Sequence, residues 1–264
     1  MKPIYFSTFV IVALSLSVVR AQNRKADSLH TMLNNTMNDS MRVRLLSEIC
    51  EEFMVTDTAN ARIYCDRMLK SANETASSFE KAVAYRTAGT YFNTAAQYGR
   101  SLDFYRKALD LFGKLPGRVA VLAYGETLSS YASVFHHRGD FETALVLYLE
   151  ADSILSRYNE YSARLILYND ISDIYLKLMR TDKSMDYVAR INSIIDSVSD
   201  PVVKSRFYIS HANMLVYQGK YDEAAGYFEM ARKTLQRGPT LPCLLREVSR
   251  QTGGISQRGD GVLL

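Results

Sequence analysis

A repeated pattern of small and aromatic residues constrains the fold of this chain more than any other sequence feature. Its clearest copy lies within residues 131–151, at Ala132, Phe135, Gly139, Phe141, Ala144, Tyr148 and Ala151. Ala144, Tyr148 and Ala151 follow the i, i+4, i+7 spacing of one helix face. The pattern predicts two antiparallel helices joined by a tight turn, in which Gly139 adopts a positive φ and Asp140 caps the second helix.

The same pattern recurs along the chain. Two copies keep its spacing closely: Gly89, Phe92, Ala96, Tyr98, Ser101, Tyr105 and Ala108 upstream, and Ala212, Leu215, Gly219, Tyr221, Ala224, Phe228 and Ala231 downstream. Weaker copies start at Cys50 and Ser172, so the first small residue recurs after 39, 43, 40 and 40 residues. A near-constant period in this range indicates a helical solenoid. The sequence therefore predicts an all-α, right-handed α-solenoid of about five helix-turn-helix repeats over residues 41–236.

The order of small residue, aromatic residue, glycine turn and Ala-x3-aromatic-x2-Ala resembles the tetratricopeptide repeat family. The resemblance covers about Met41 to Gln236, with a period longer than the family's usual length of about 34 residues. The stretch ADSLHTMLNNTMNDSMRVRLLSEI is similar to the extracytoplasmic repeat domains of Bacteroidetes signalling proteins. In that group such domains precede a membrane helix and a histidine kinase or DNA-binding module. The resemblance implies the sensory part of a signalling protein that binds a protein or peptide.

The N-terminal residues 1–21 have the pattern of a cleaved signal peptide. Lys2 precedes an apolar run from Ile4 to Val19, and Ala21 offers a small residue for cleavage before Gln22. We therefore expect a periplasmic or secreted protein, or a membrane-anchored one if the signal is retained, with no stable membrane span after cleavage. Residues 22–40 are expected to form a capping helix and linker. Residues 237–264 are expected to form an irregular tail, which suggests a truncated or frame-shifted relative of a longer receptor.

Charge and cysteine content exclude some classes of protein. The net charge of +4 includes Lys2 and Arg20 of the signal, so the mature chain is close to neutral and no nucleic-acid partner is expected. Three cysteines do not form a disulfide framework. Cys50 and Cys65, on facing helices of the first repeat, are expected to be buried as small apolar residues, although a disulfide between them remains an alternative. Cys243 lies outside the repeats.

The sequence contains no recognisable catalytic constellation. It lacks a Gly-x-Ser-x-Gly elbow and a phosphate-binding loop in a strand-to-helix context, and no two of its four histidines lie four residues apart. We therefore expect no enzymatic activity, no cofactor and no metal. His136 and His137 are expected at a solvated helix end, and His211 is expected to be a packing residue. The Arg138–Asp140 triplet is explained by the repeat turn rather than by adhesion.

The remaining candidate site is the concave face lined by the first helix of each repeat. Residues there that should point away from the partner helix include Ser47, Glu51 and Ser210, and the candidate ligand-binding set is Arg86, Thr90, Asn93, Ser129, Ser133, His136, Asn169, Asp173 and Asn213. Short polar side chains can bond the main chain of an extended peptide, although a merely solvated surface is the alternative. Two other roles stay open: an envelope scaffolding adaptor, and a glycan-binding nutrient-uptake protein, which would need exposed aromatic residues.

Overall fold

The computed structural model describes residues 28–236, apart from the side chains of Val55, Thr56, Tyr217 and Gln236. Three predicted features lie outside these residues: the signal peptide, the C-terminal tail with Cys243, and the start of the capping segment. The helices are residues 28–35 (α1), Asp39–Thr56 (α2), Thr58–Glu74 (α3), Ser78–Thr94 (α4), Tyr98–Lys114 (α5), Arg118–His137 (α6), Phe141–Leu155 (α7), Tyr161–Lys177 (α8), Thr181–Ile194 (α9), Pro201–Tyr217 (α10) and Tyr221–Gln236 (α11).

These helices pack as the five predicted pairs. Helix α2 packs on α3, α4 on α5, α6 on α7, α8 on α9, and α10 on α11. No strand occurs within residues 28–236, so the predicted all-α helical-repeat fold is confirmed. The helices group into two compact units, one that contains α1 to α7 and one that contains α8 to α11. Within the described part of the chain, no helix is both long enough and apolar enough to cross a membrane.

Four of the turns within the helix pairs share one hydrogen-bond pattern. In the α6–α7 turn, the Gly139 amide donates to the His136 carbonyl at 3.0 Å, and the Asp140 amide donates to the Phe135 carbonyl at 2.9 Å. Gly139 has a φ of 80°, as predicted, and Asp140 accepts a hydrogen bond from the Thr143 amide at 3.2 Å, which confirms the predicted cap. The equivalent turns place Ala96, Met179 and Gly219 at φ values of 55°, 57° and 76°.

Small residues let the paired helices approach closely. Ala132, Ala144 and Ala151 are fully buried around Tyr148, which is itself fully buried. In the α4–α5 pair, a Cβ atom on Gly89 would lie 2.7 Å from the Cδ1 atom of Tyr105. The pattern of small and aromatic residues therefore marks the helix contacts, as the sequence predicts.

The first repeat holds both described cysteines in its core. Cys50 on α2 and Cys65 on α3 are fully buried free thiols, and the Cys50 Sγ donates to the Ala61 carbonyl at 3.4 Å. Their predicted burial is confirmed. Leu29 and Leu33 of α1 are buried in the same apolar cluster, so α1 packs onto the first repeat.

Candidate functional site

In the unit that contains α1 to α7, the predicted site residues join neighbouring first helices. The Arg86 Nη1 on α4 donates to the Glu126 Oε2 on α6 at 2.8 Å. The Asn93 Nδ2 on α4 donates to the Ser133 Oγ on α6 at 3.2 Å. Both bonds connect residues 40 positions apart, which is one repeat. The polar side chains of this surface therefore stabilise repeat stacking as well as lining the predicted face.

The same kind of link joins α2 to α4. The Thr87 Oγ1 donates to the Glu51 Oε1 at 3.1 Å. Loss of surrounding water raises the pKa of the Glu51 carboxyl, while Arg86 and the Thr87 hydroxyl lower it. Further along these helices, the Arg44 Nε donates to the Glu80 Oε1 at 2.7 Å. Consecutive first helices of this unit are thus connected by hydrogen bonds that involve charged groups.

Thr90 faces its partner helix as well as the predicted surface. Its Oγ1 lies 3.0 Å from the hydroxyl oxygen of Tyr105 on α5. Tyr105 is almost fully buried, and burial raises its pKa to about 12. Thr90 therefore differs from the expectation that it points away from α5.

Ser129 is half-buried on α6, one turn before Ser133.

His136 is buried rather than solvated or on the predicted concave face, whereas His137 lies at the solvated helix end as expected. His136 is 7% exposed, and its ring packs edge-on against Phe141, with ring centroids 5.9 Å apart. His137 is exposed, and its Nδ1 lies 3.1 Å from the Asn93 Oδ1. One residue along a helix turns a side chain by about 100°, which directs His136 toward α7. Continuing the four-residue spacing of Ser129 and Ser133 leads to His137. The sequence spacing could therefore have predicted His137, rather than His136, on this helix face.

The unit that contains α8 to α11 has a cleft of about 540 Å³, which we call the α8–α10 cleft. It brings together the predicted residues Asn169, Asp173 and Asn213, and Ser210 from the same predicted face; we call these four the polar rim. Beneath them lies an apolar floor, which consists of Val188, Ile191, Phe207 and Met214. The sequence predicts the rim residues but not the floor, because the pattern of small and aromatic residues does not show where helices pack incompletely.

The cleft exists because α9 and α10 pack less closely than α5 and α6, which are their counterparts in the other unit. Helix α5 packs along α6, and α3 packs along α4. In contrast, no comparable packing joins α9 to α10 within the described residues, although α10 still contacts α8. Val188 and Ile191 on α9 are buried and lie at the bottom of the resulting cleft. Its size and its mixture of apolar and polar walls are typical of ligand pockets.

The charged side chains that line the cleft neutralise each other. The Lys177 Nζ lies 2.7 Å from the Asp173 Oδ2, one helical turn away on α8. His211 also lines the cleft, is 7% exposed and packs edge-on against Tyr227, with ring centroids 4.3 Å apart. Burial lowers the pKa of His211, which favours its neutral form. The expected packing role of His211 is confirmed, and its ring also forms part of the cleft wall.

Metal ligation has no structural candidate in the part of the chain that the structure describes. Residues 28–236 contain no group of three or more His, Cys, Asp or Glu side chains placed to hold an ion. The predicted surface and the α8–α10 cleft offer hydrogen bonding from amides, hydroxyls and ion pairs, and the cleft adds an apolar floor. Such an arrangement suits reversible binding.

Comparison with known proteins supports the repeat assignment. Residues 126–150 match the family model described as tetratricopeptide repeat. The chain is also similar to a clustered mitochondria protein homolog from Meyerozyma guilliermondii, at 23% identity over 226 residues. That match covers 80% of this chain but 17% of the relative, so this chain spans only a small part of the relative's length.

Solved structures with similar folds come from several kinds of protein. BtubC (BKLC) from P. vanneervenii has 17% identity and a TM-score of 0.57, and the match covers 91% of this chain and 93% of that one. Aspartyl phosphate phosphatase F from Bacillus subtilis has 12% identity and a TM-score of 0.60, with coverage of 97% and 75%. The apo form of the quorum sensor NprR from B. thuringiensis has 11% identity and a TM-score of 0.55, with coverage of 90% and 66%. The chain therefore has a tetratricopeptide-like helical repeat fold, which generally serves as a scaffold for protein interactions.

Proposed function

We propose that this chain is an exported module that binds a protein or peptide ligand, and that it is the sensory part of a bacterial signalling protein. The α8–α10 cleft is the observation that carries the proposal, because it combines hydrogen-bonding side chains with an apolar floor. The signal-like pattern of residues 1–21 supports export. The fold likeness to a quorum sensor supports a sensory role.

A second candidate function is an envelope scaffolding adaptor. Val146 and Leu149 on α7 lie three residues apart on one helix face, with 66% and 46% of their surfaces exposed. Exposed apolar side chains that adjoin on one helix face can contribute to contact with a protein partner. Under this alternative, binding would depend on α7 rather than on the cleft.

Panning a displayed library of random peptides against the mature chain, residues 22–264, tests the binding proposal. We expect enriched peptides to bind the unchanged protein and to bind the N169A/N213A double variant at least tenfold more weakly. Substitution V146S/L149S serves as the matched control and is expected to leave peptide binding unchanged. Failure to enrich any peptide that binds in solution would contradict the proposal. Loss of binding only in the α7 variant would favour the adaptor.

Export is tested separately by cell fractionation. We expect the full chain expressed in a Gram-negative host to lose residues 1–21 and to appear in the periplasmic fraction. A version that starts at Gln22 after an added Met should stay in the cytoplasm. Mass spectrometry of the mature N-terminus checks the cleavage position. Retention of the full chain in the membrane fraction would instead indicate an uncleaved anchor.

A further inference from the structure

The α8–α9 turn places a methionine in a backbone conformation that favours glycine. Met179 has a φ of 57°, at the position where Gly139 and Gly219 occupy the equivalent turns. Its amide donates to the Leu176 carbonyl at 2.9 Å, so the turn has the same hydrogen bonds as the others. A side chain with a Cβ atom is strained in this conformation, because the Cβ approaches the following carbonyl oxygen.

The strain at Met179 is not offset by burial. Its side chain is 80% exposed, yet it lines the α8–α10 cleft beside Leu176 and Lys177. A glycine would make the same turn without strain, as it does in the α6–α7 and α10–α11 turns. Ala96 has the same conformation away from the cleft, so the place of Met179 beside the cleft, rather than its strain alone, points to contact with a ligand. Methionine is also flexible and polarisable, which suits contact with apolar groups of varied shape.

The electrostatics of the cleft select against charged ligands. Asp173 and Lys177 form an ion pair with each other, so together they add no net charge to the cleft. The buried ring of His211 adds no permanent charge to the wall. A charged ligand group would lose its hydration without gaining a net counter-charge, which is unfavourable. An apolar group would instead meet the accessible surfaces of Leu176 and Met179, above a floor whose side chains are buried.

We propose that the α8–α10 cleft binds an uncharged, extended peptide segment through an apolar side chain, and that Met179 covers this side chain. The side chain enters over Phe207, Val188 and Ile191. Asn169 and Asn213 on the rim bond the main-chain amides of the segment, since each side-chain amide both donates and accepts. This inference rests on the proposed peptide-binding function and adds the chemical class of the ligand.

The Met179→Gly variant distinguishes the role of the Met179 side chain in peptide binding from its effect on stability, because the two are expected to change in opposite directions. Removing the strain should raise the thermal unfolding midpoint by about 2–4 °C. The same change should weaken peptide binding about tenfold, because the apolar cover is lost. Ala96→Gly is the matched control, because Ala96 has a φ of 55° in the α4–α5 turn. It should raise the midpoint similarly and leave peptide affinity unchanged, whereas Met179→Leu should retain most of the affinity.

Capped heptapeptides that differ only at the central residue are the probes, with Leu, Phe, Gly, Asp or Lys at that position. Titration calorimetry with the mature chain should show Leu and Phe peptides binding at least tenfold more tightly than Gly, Asp or Lys peptides. If an Asp or Lys peptide binds as tightly as the Leu and Phe peptides, or more tightly, the proposal of an uncharged peptide ligand with an apolar side chain is wrong. A more stable Met179→Gly variant with unchanged affinity would overturn the role of Met179. If neither these peptides nor any library peptide binds, the proposed function itself fails.

Discussion

At the residue scale, the absence of one side chain sets how closely α4 and α5 approach. Gly89 lies beneath the ring of Tyr105, and the Ser101 hydroxyl donates to the Gly89 carbonyl at 2.8 Å. A Cβ on Gly89 would meet three ring atoms of Tyr105 at 2.7–2.9 Å. Tyr105 is 1% exposed, so its ring has little room to move away. The small-residue position of the repeat therefore has a steric cause at this site.

Gly89→Ala is expected to destabilise the protein by about 1–3 kcal/mol, because the added methyl group overpacks the contact with Tyr105. Gly99→Ala in α5 is the matched control, since a Cβ there would meet no atom within 4 Å. We expect that control to be neutral or to stabilise by about 0.5–1 kcal/mol through reduced backbone entropy of the unfolded chain. Chemical denaturation measures both changes. Equal stability of the two variants would contradict the steric explanation.

The thiols of the first repeat should be unreactive in the folded protein. A hydrogen bond with Cys65, together with burial, raises the pKa of the Cys50 thiol, and the thiolate is the reactive form. In a Cys243→Ser background, we expect iodoacetamide to modify Cys50 and Cys65 only after unfolding in guanidinium chloride, as measured by mass spectrometry. Rapid modification of the native protein would contradict this expectation. Recovery of a peptide linking Cys50 to Cys65 would instead establish the disulfide alternative.

At the element scale, the repeat turns combine one backbone conformation with one hydrogen-bond pattern. The second residue after the first helix has a positive φ in the turns at Ala96, Gly139, Met179 and Gly219. In all four turns, the amide of the next residue donates a hydrogen bond to the carbonyl five residues before it. That carbonyl belongs to the aromatic or leucine position of the repeat. The Arg138–Asp140 triplet is one such turn, and its aspartate is engaged as a helix cap.

Asp140→Ala is expected to destabilise the protein by about 1 kcal/mol, because the Thr143 amide loses its acceptor at the start of α7. Asp140→Asn is the matched control, since asparagine also accepts this hydrogen bond and should keep most of the stability. Thermal and chemical unfolding of the three proteins provide the measurement. If the asparagine variant is as unstable as the alanine variant, the charge rather than the cap is responsible.

At the scale of the whole molecule, the described chain forms two compact units, each with its own buried residues. The unit that contains α1 to α7 holds buried clusters around Ile49, Phe112 and Tyr105. The unit that contains α8 to α11 holds a cluster of small and aromatic residues around Phe228. Repeat folds of this kind derive their stability from contacts within and between adjacent helix pairs. A set of consecutive pairs with a buried core should therefore fold as a separate fragment.

We expect a fragment of residues 22–160 to fold without the rest of the chain. Its far-ultraviolet circular dichroism should show the helix content of seven packed helices, and it should unfold cooperatively with urea, because its clusters are complete within the fragment. The fragment 161–264 provides the comparison, with a smaller core. A fragment 22–160 that lacks a cooperative transition would show that its stability depends on the remaining residues.

The sequence by itself determined the features that depend on local spacing. The i, i+4, i+7 order of Ala144, Tyr148 and Ala151 predicted a buried helix face, and all three are buried. Gly139 and Asp140 predicted their turn and cap, because those conformations depend on a few neighbouring residues. The burial of Cys50 and Cys65 followed in the same way from their places in the repeat. Export, the sensory role and the ligand remain predictions.

Only the tertiary structure decided the features that depend on how one helix pair packs against the next. The partner of Arg86 is Glu126, one full repeat away, and no local spacing in the sequence identifies that pair. The α8–α10 cleft has the same origin, since α9 and α10 pack less closely than α5 and α6. A repeat pattern encodes the contacts within a helix pair. Small differences in stacking between pairs, summed over many weak contacts, determine where a cleft opens.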